Sequence, residues 1–276
     1  MSKCTSYDYI HFDNGILDNI IDAVYVILLK KSHRTSAVYR QINEYKLSKN
    51  NFIQINEKFT ECEVSLNKQL PSEHIIYNTV NILKHANNNN FNNILVFQDD
   101  FILDREIKDK EVINDLEVFI NNNDFSIYYI GCLPIIFNPF EQKHHKSIFS
   151  VANHSVIYSK YARDILIHNY NKNNTFTIEW YKINLPIYKL DDIYYNFILN
   201  NKYFYHKPLC YQVFEETDNK KQWTNSSIDF VFNIMKLDKD PEYGFHLFYK
   251  ISFILNILVI FFILYLFLKI INKLTN

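Results

Sequence analysis

Two adjacent carboxylates, Asp99 and Asp100, close the stretch NILVFQDDF that runs from Asn93 to Phe101. Side by side they repel one another, and a divalent cation that prefers hard oxygen ligands is the usual reason to keep such a pair. A solvated acidic turn would carry the same two letters. The residues in front of the pair add a reason to read it as a site. Ile94 to Phe97 form an unbroken apolar run of strand formers, as in a strand buried on both faces of a parallel sheet. Ligands of α/β sheets dock at the carboxyl ends of such strands, where a cation or a sugar hydroxyl would meet the acids. Two further acids, Asp191 and Asp192, open a helical stretch over Ile193 to Asn200, where they suit the helix dipole and would serve as caps. His154 and His206 stand alone in the chain, and for each a satisfied structural side chain is the simpler reading.

The elements that must position these residues follow a β-α-β rhythm. Asp22 to Leu29 reads as a first buried strand, and Lys30 to Arg34 as a basic turn after it. Ser36 is placed to cap a helix to about Leu47, and Asn51 to Ile55 reads as a second strand. Ser72 caps a helix from Glu73 to Ala86, ended by the Asn87 to Asn90 run. The acidic strand follows. Glu106 to Ile120 reads as a helix, and Ser126 to Ile130 as a strand stopped by Gly131. Phe137 to Lys146 has the composition of a loop near a site. Ser147 to Tyr158 holds one or two strands, Ser159 caps a helix to about Tyr170, and Tyr203 to His206 is a short strand. Pro208 to Ser227 is a polar tail able to fold over a cleft. Strands alternating with helices predict a parallel sheet.

The 276 residues suffice for one α/β domain with a substantial core. With 29 basic and 30 acidic side chains, no field favours a polyanion, which argues against a nucleic-acid partner. Only 3 glycines are present, so Gly-rich phosphate loops are excluded. The abundance of Asn, Ile, Lys and Tyr suggests an AT-rich genome, as in some large DNA viruses. Cys4, Cys62, Cys132 and Cys210 lie far apart without zinc spacing, which indicates neither a disulfide framework nor a zinc site. Asn153, Asn173 and Asn225 begin glycosylation sequons of the kind that chance supplies in an Asn-rich chain. Ile251 to Leu268, ISFILNILVIFFILYLFL, is different in kind. Its 18 uncharged residues would cross a hydrocarbon core about 27–30 Å thick as a helix.

Read in order, several stretches resemble glycosyltransferase family 25, the group of lipopolysaccharide and collagen galactosyltransferases. They are VYVILLKKSHR, PSEHIIYNTVNIL, ILVFQDDFIL, IYYIG, ANHSVIYSKYARDIL, KLDDIYYNFIL and PLCYQVFEETDNKKQWTNSSI, and together they span about Asp22 to Ile228. The resemblance implies an A-type nucleotide-sugar fold: an α/β domain with a mostly parallel sheet flanked by helices. Its chemistry would be transfer of a hexose, galactose or glucose, from a UDP-sugar to a hydroxyl with inversion. It also implies roles. Asp100, with Asp99 and His206, would hold a divalent metal, Mn2+ by preference. Gln98, Asp99, Arg34 and Lys30 would meet the nucleotide and its phosphates, while Asp191, Asp192 or His154 would stand by the acceptor. Gln98 departs from the family's usual Glu and brings hydrogen bonding without charge.

The organisation expected is a polar segment over 1–21, a transferase domain over 22–230, a linker over 231–250, a transmembrane helix over 251–268 and a short polar tail over 269–276. The acceptor would be a glycan, lipid or protein. Without an evident signal peptide, and with four unpaired thiols, the domain is expected on the cytosolic side of a membrane, held by an anchor inserted after synthesis. An inactive relative kept as a membrane-bound binding or scaffold protein is the alternative that Gln98 raises. A small structural membrane protein without a cleft is a third reading.

Overall fold

The computed structural model describes residues 4–58, 61, 71–173, 191–215 and 226–275. Its centre is a seven-stranded mixed sheet in the order β1-β3-β2-β4-β7-β6-β8. The strands are β1 (Thr5–His11), β2 (Ala23–Leu29), β3 (Asn50–Asn56), β4 (Asn93–Gln98), β6 (Ile127–Phe137), β7 (His144–Ser159) and β8 (Lys202–Tyr205). β3, β2 and β4 pair in parallel, β6 pairs in parallel with β8, and β1 and β7 run against their neighbours. A two-stranded ladder joins β5 (Phe101–Leu103) to β9 (Cys210–Gln212).

Both faces of the sheet are covered, which is why its central strands are apolar throughout. On one face α1 (Thr35–Tyr45) and α3 (Lys110–Asn122) set Val38, Ile42, Leu116 and Ile120 against Val24, Val26, Leu95 and Phe97. On the other, α2 (Pro71–Asn88), α4 (Lys160–Asn173) and α5 (Asp191–Ile198) set Val80, Leu83, Leu166 and Tyr195 against Tyr25, Ile94 and Val96. The entry to β4 is held by fully buried Arg163. Its guanidinium donates to the carbonyls of Asn92 (2.7 Å) and Phe91 and to the Asn87 side chain (2.9 Å). A third, smaller core joins Leu133, Tyr211, Phe214, Phe232, Leu237 and Phe245, and it brings α6 (Ser226–Met235) and α7 (Pro241–Thr275) onto the domain.

Several boundaries differ from those expected. The supposed polar segment over 1–21 supplies an edge strand, β1, antiparallel to β3. Helix α1 begins at Thr35 and no side chain caps its start, so Ser36 is not a cap. Helix α2 starts at Pro71, whose fixed φ and missing N–H suit a first turn, and Asn90 ends it in the left-handed region, φ 57°. The helix expected from Glu106 is a 3-10 turn over Arg105–Lys108, with extended Asp109 between it and α3. Gly131 does not stop its strand. A Cβ there would stand 2.4 Å from the Cys210 carbonyl oxygen and 2.5 Å from His154 Nε2, so the glycine serves a close approach inside β6. The linker expected over 231–250 is the end of α6 and the first turns of α7, with Phe245 and Tyr249 in the cores. Cys4 is disulfide-bonded, which corrects the reading of four unpaired thiols, while Cys132 and Cys210 are buried thiols outside any disulfide.

Candidate functional site

Two neighbouring parallel strands, β2 and β4, end side by side, and the turns after them meet. The turn after β2 presents Ser32, His33 and Arg34. The turn after β4 presents Asp99 and Asp100. Ser32 Oγ donates to Asp99 Oδ2 at 3.0 Å, and Arg34 Nη1 donates to Asp99 Oδ1 at 3.1 Å and lies 3.9 Å from Asp100 Oδ2. A third acid arrives from far along the chain. Arg34 Nη2 donates to Glu215 Oε2 at 2.9 Å, and His33 Nε2 lies 2.9 Å from the same oxygen.

The β5–β9 ladder is what brings that third acid in. Its register sets Phe101 opposite Gln212, and Val213 N donates to the Asp100 carbonyl at 2.9 Å, so the chain leaving β9 passes directly over the acidic turn. Gln212 Nε2 then donates to Asp100 Oδ2 at 2.9 Å. Asp100 Oδ1 is buried and meets no hydrogen-bond partner from another residue among those described, and Gln212 Oε1 is likewise buried without one. Both carboxylates of the pair are recessed, with side-chain exposures of 19% for Asp99 and 13% for Asp100, while Glu215 is open at 46%.

Electrostatics follow from this placement. Burial, with the neighbouring charge of Asp99, raises the Asp100 carboxyl from 3.8 to about 6, against the pull of Gln212 and Arg34. Burial opposes the Arg34 charge, yet Asp100, Asp99 and Glu215 outweigh it and hold the guanidinium above its ordinary range. Hydrogen bonds from Arg34 and His33 lower Glu215. Three carboxylates thus share one guanidinium, and the cluster keeps an excess of negative charge.

Such a cluster suits a divalent ion. Among the described residues no group of three or more His, Cys, Asp and Glu side chains is arranged to hold a metal by itself. One or two carboxylates with the remaining positions left to phosphate oxygens and water is, however, the ordinary way Mg2+-like ions meet nucleotides. The orphaned, buried Oδ1 of Asp100 is the atom such an ion would satisfy.

The other expected residues lie elsewhere. Lys30 points its ammonium at Glu57, just past the end of β3, in an exposed ion pair and not at the acidic turn. Gln98 ends β4 opposite Ile27 and is half-buried; strand alternation sets it on the side of Ile94 and Val96. His154 is wholly buried. Its Nδ1 lies 2.7 Å from the Ala152 carbonyl and its Nε2 3.2 Å from that of Cys210, and burial lowers its pKa to about 4. A neutral ring with both nitrogens against backbone carbonyls has no position from which to accept a substrate proton, so His154 is a packing residue of the β7–β9 crossing. His206 follows β8, at the far edge of the sheet from β1, with its ring 4.4 Å from that of Tyr205. No hydrogen bond ties it to the acidic turn. Asp191 and Asp192 open α5, which Asn196 pins to β7 through the Ser150 amide (3.1 Å) and carbonyl (2.7 Å). The side chains of the two acids lie outside the described residues. A separate cleft lined by Tyr7, Tyr77, Lys84 and His85 lies between β1 and α2 and shares no residue with the acidic cluster.

No protein-family model matches the chain, and no curated protein matches its sequence. Among solved structures, the A197 protein from STIV is similar over 70% of this chain and 86% of its own, with a TM-score of 0.39 and 10% identity. A glycosyltransferase involved in glycosylating the major capsid of PBCV-1 is similar over 60% of this chain and 77% of its own, with a TM-score of 0.31 and 13% identity. Likenesses this distant assign neither family nor activity to the chain. Glu215, Gln212, Ser32 and His33 are the residues of the cluster that residue type and spacing did not single out. Glu215 and Gln212 lie inside the stretch PLCYQVFEETDNKKQWTNSSI and Ser32 inside VYVILLKKSHR, so the ordered motifs did mark both neighbourhoods.

Proposed function

We propose that the chain is a membrane-anchored, metal-dependent glycosyltransferase of the A type that moves a hexose from a UDP-sugar to a hydroxyl with inversion. The observation that carries this reading is the buried Asp100 Oδ1, which no other described residue bonds, within a carboxylate-rich cluster at the carboxyl end of β4. Asp100 and Asp99 are the residues that would hold a divalent ion, which when bound neutralises charge developing on a leaving diphosphate. Arg34, fixed by Asp99 and Glu215, supplies a guanidinium able to meet phosphate oxygens as a fork. Gln212 orients the Asp100 carboxylate. Asp191 or Asp192, at the N-terminus of α5, would take the acceptor proton, since inversion needs one base for one in-line attack. The ordered series of family 25-like stretches supports the same reading.

The test is turnover of UDP-galactose and UDP-glucose with and without Mn2+ by the full chain and by Asp100→Ala. Metal-dependent UDP release that Asp100→Ala abolishes in a folded protein is the result expected. Gln98, which brings no charge where an acid would, favours a second reading: an inactive relative that binds on a membrane. It would be left standing by a protein that neither turns over these sugars nor binds UDP.

The anchor is α7, a single apolar helix long enough to cross a membrane. The cytosolic placement of the domain loses the support of unpaired thiols once Cys4 is bonded. Of the three sequons, Asn153 is buried in β7 and unfit to carry a glycan in the folded domain; Asn225 and the Asn173 side chain lie outside the described residues. Protease access on isolated membranes decides the side.

A further inference from the structure

Helix α7 belongs to the domain and to the apolar span at once. Phe245, Tyr249, Ser252 and Asn256 are buried against the domain, whereas Phe253, Ile254, Leu255 and nearly every residue from Leu258 to Leu274 are exposed. No linker separates the two parts. Asn256, inside the apolar run, donates from Nδ2 to the Ile135 carbonyl (2.9 Å) and accepts from Phe137 N (3.1 Å), and so closes the open edge of β6.

Length then fixes how deep the domain sits. From Lys250 to Lys269 the helix rises about 28 Å, which matches a hydrocarbon core of about 27–30 Å. A domain held clear of the lipid would leave only Ile257 to Leu268 as a charge-free span, about 18 Å and too short without drawing Lys269 and Lys273 into the core. Matching the span to the bilayer therefore carries Asn256 about 9 Å inward from Lys250. The segment of β6 bonded to Asn256 goes with it. That segment is fit for the position: its two main-chain groups are satisfied by the Asn256 amide, as backbone in lipid must be, and Ile135, Ile136 and the neighbouring Ile148 of β7 are exposed at 41%, 48% and 61%. The register sets Ile136 opposite Phe149, next in sequence to Ile148, in a stretch where the pairing shifts on both sides of Ile136, so the three exposed isoleucines stand on neighbouring rungs of the hairpin. Among the charged groups at the hairpin tip, Lys143 is paired to Asp115 of α3 at 2.6 Å.

We infer that the exposed Ile135, Ile136 and Ile148 of the β6–β7 hairpin form a bilayer contact, through which the domain is seated in the membrane boundary and held in a fixed orientation rather than swung on a tether. The inference rests on reading α7 as a membrane span. In the test, full-length Ile136→Cys, Ile148→Cys and a control in the exposed turn just after α2, Asn89→Cys, are labelled with NBD and reconstituted in phosphatidylcholine vesicles containing shallow doxyl lipids. The native thiols at 132 and 210 are buried. The inference expects the chain to float with the vesicles, blue-shifted emission at 136 and 148, and quenching there several-fold stronger than at 89. Flotation with quenching at 136 and 148 no stronger than at 89 would overturn the seating and leave the anchor standing. A chain that fails to float overturns both.

Discussion

Asp100 carries an electrostatic cost in the folded protein. Its carboxyl is raised from 3.8 to about 6, first by burial and then by Asp99. The folded protein therefore binds more protons than the unfolded chain between about pH 4 and 6, and the stability this group contributes is lost as pH rises through that window. Asp100→Asn removes the buried charge and keeps the shape. In metal-free buffer it is expected to stabilise the fold at pH 7 by about 1–3 kcal/mol, a gain that disappears below about pH 4. Thermal melts across pH check this. A variant less stable than the parent at pH 7 would mean that the Asp100 charge is already fully compensated by Arg34 and Gln212. The pair itself was legible in sequence, because a run of strand formers that stops at two acids is a local pattern. Glu215 was not, since its approach to Arg34 spans 181 residues and depends on a three-residue ladder too short to show a period. His154 turns out to be the structural side chain that was its simpler reading, and not the acceptor-side residue that the resemblance implied. A lone histidine carries no sign of burial, and only the fold shows both nitrogens against carbonyls.

At the scale of elements, the central strands and the helices that cover them were readable from apolar runs and 3.6-residue periodicity. The exceptions have physical causes. β1 reads TSYDYIH, half polar, because an edge strand packs one face and leaves the other wet. β6 continues through Gly131 because the residue's lack of a side chain is used for contact with the Cys210 carbonyl, where sequence reasoning takes glycine as a stop. That contact gives a prediction. Gly131→Ala forces a methyl against backbone at 2.4 Å and against the His154 ring, and should destabilise the protein by about 2–4 kcal/mol in urea unfolding. Because β9 is the strand displaced, the variant should also weaken Mn2+ binding through Gln212 and Glu215. A change under about 0.5 kcal/mol would show that β9 yields freely and does not fix the site.

At the scale of the molecule, the sheet delivers two strand ends to one cluster, and an apolar helix long enough to cross a membrane continues from that body without a hinge. The apolar run was plain in sequence; its docking on β6 was not, because Ser252 and Asn256 look like interruptions of a span until their partners are seen. A cut before Ile251 therefore removes more than an apolar span. It uncovers the Ile135 carbonyl and the Phe137 amide, so a chain ending at Lys250 is expected to be soluble but less stable by about 1–3 kcal/mol than one ending at Ile257, as read by urea unfolding. Equal stabilities would show that the Asn256 contacts contribute nothing to the fold.

The central claim is that the Asp99–Asp100 cluster holds a metal and a nucleotide together. It is tested most directly by calorimetric titration of UDP into the full chain in detergent, with and without Mn2+, beside Asp100→Asn. The account predicts UDP binding that strengthens at least tenfold with Mn2+, about 1.4 kcal/mol, and a metal response that vanishes in the variant. UDP binding indifferent to Mn2+ and to Asp100→Asn, or no UDP binding at all, would contradict it.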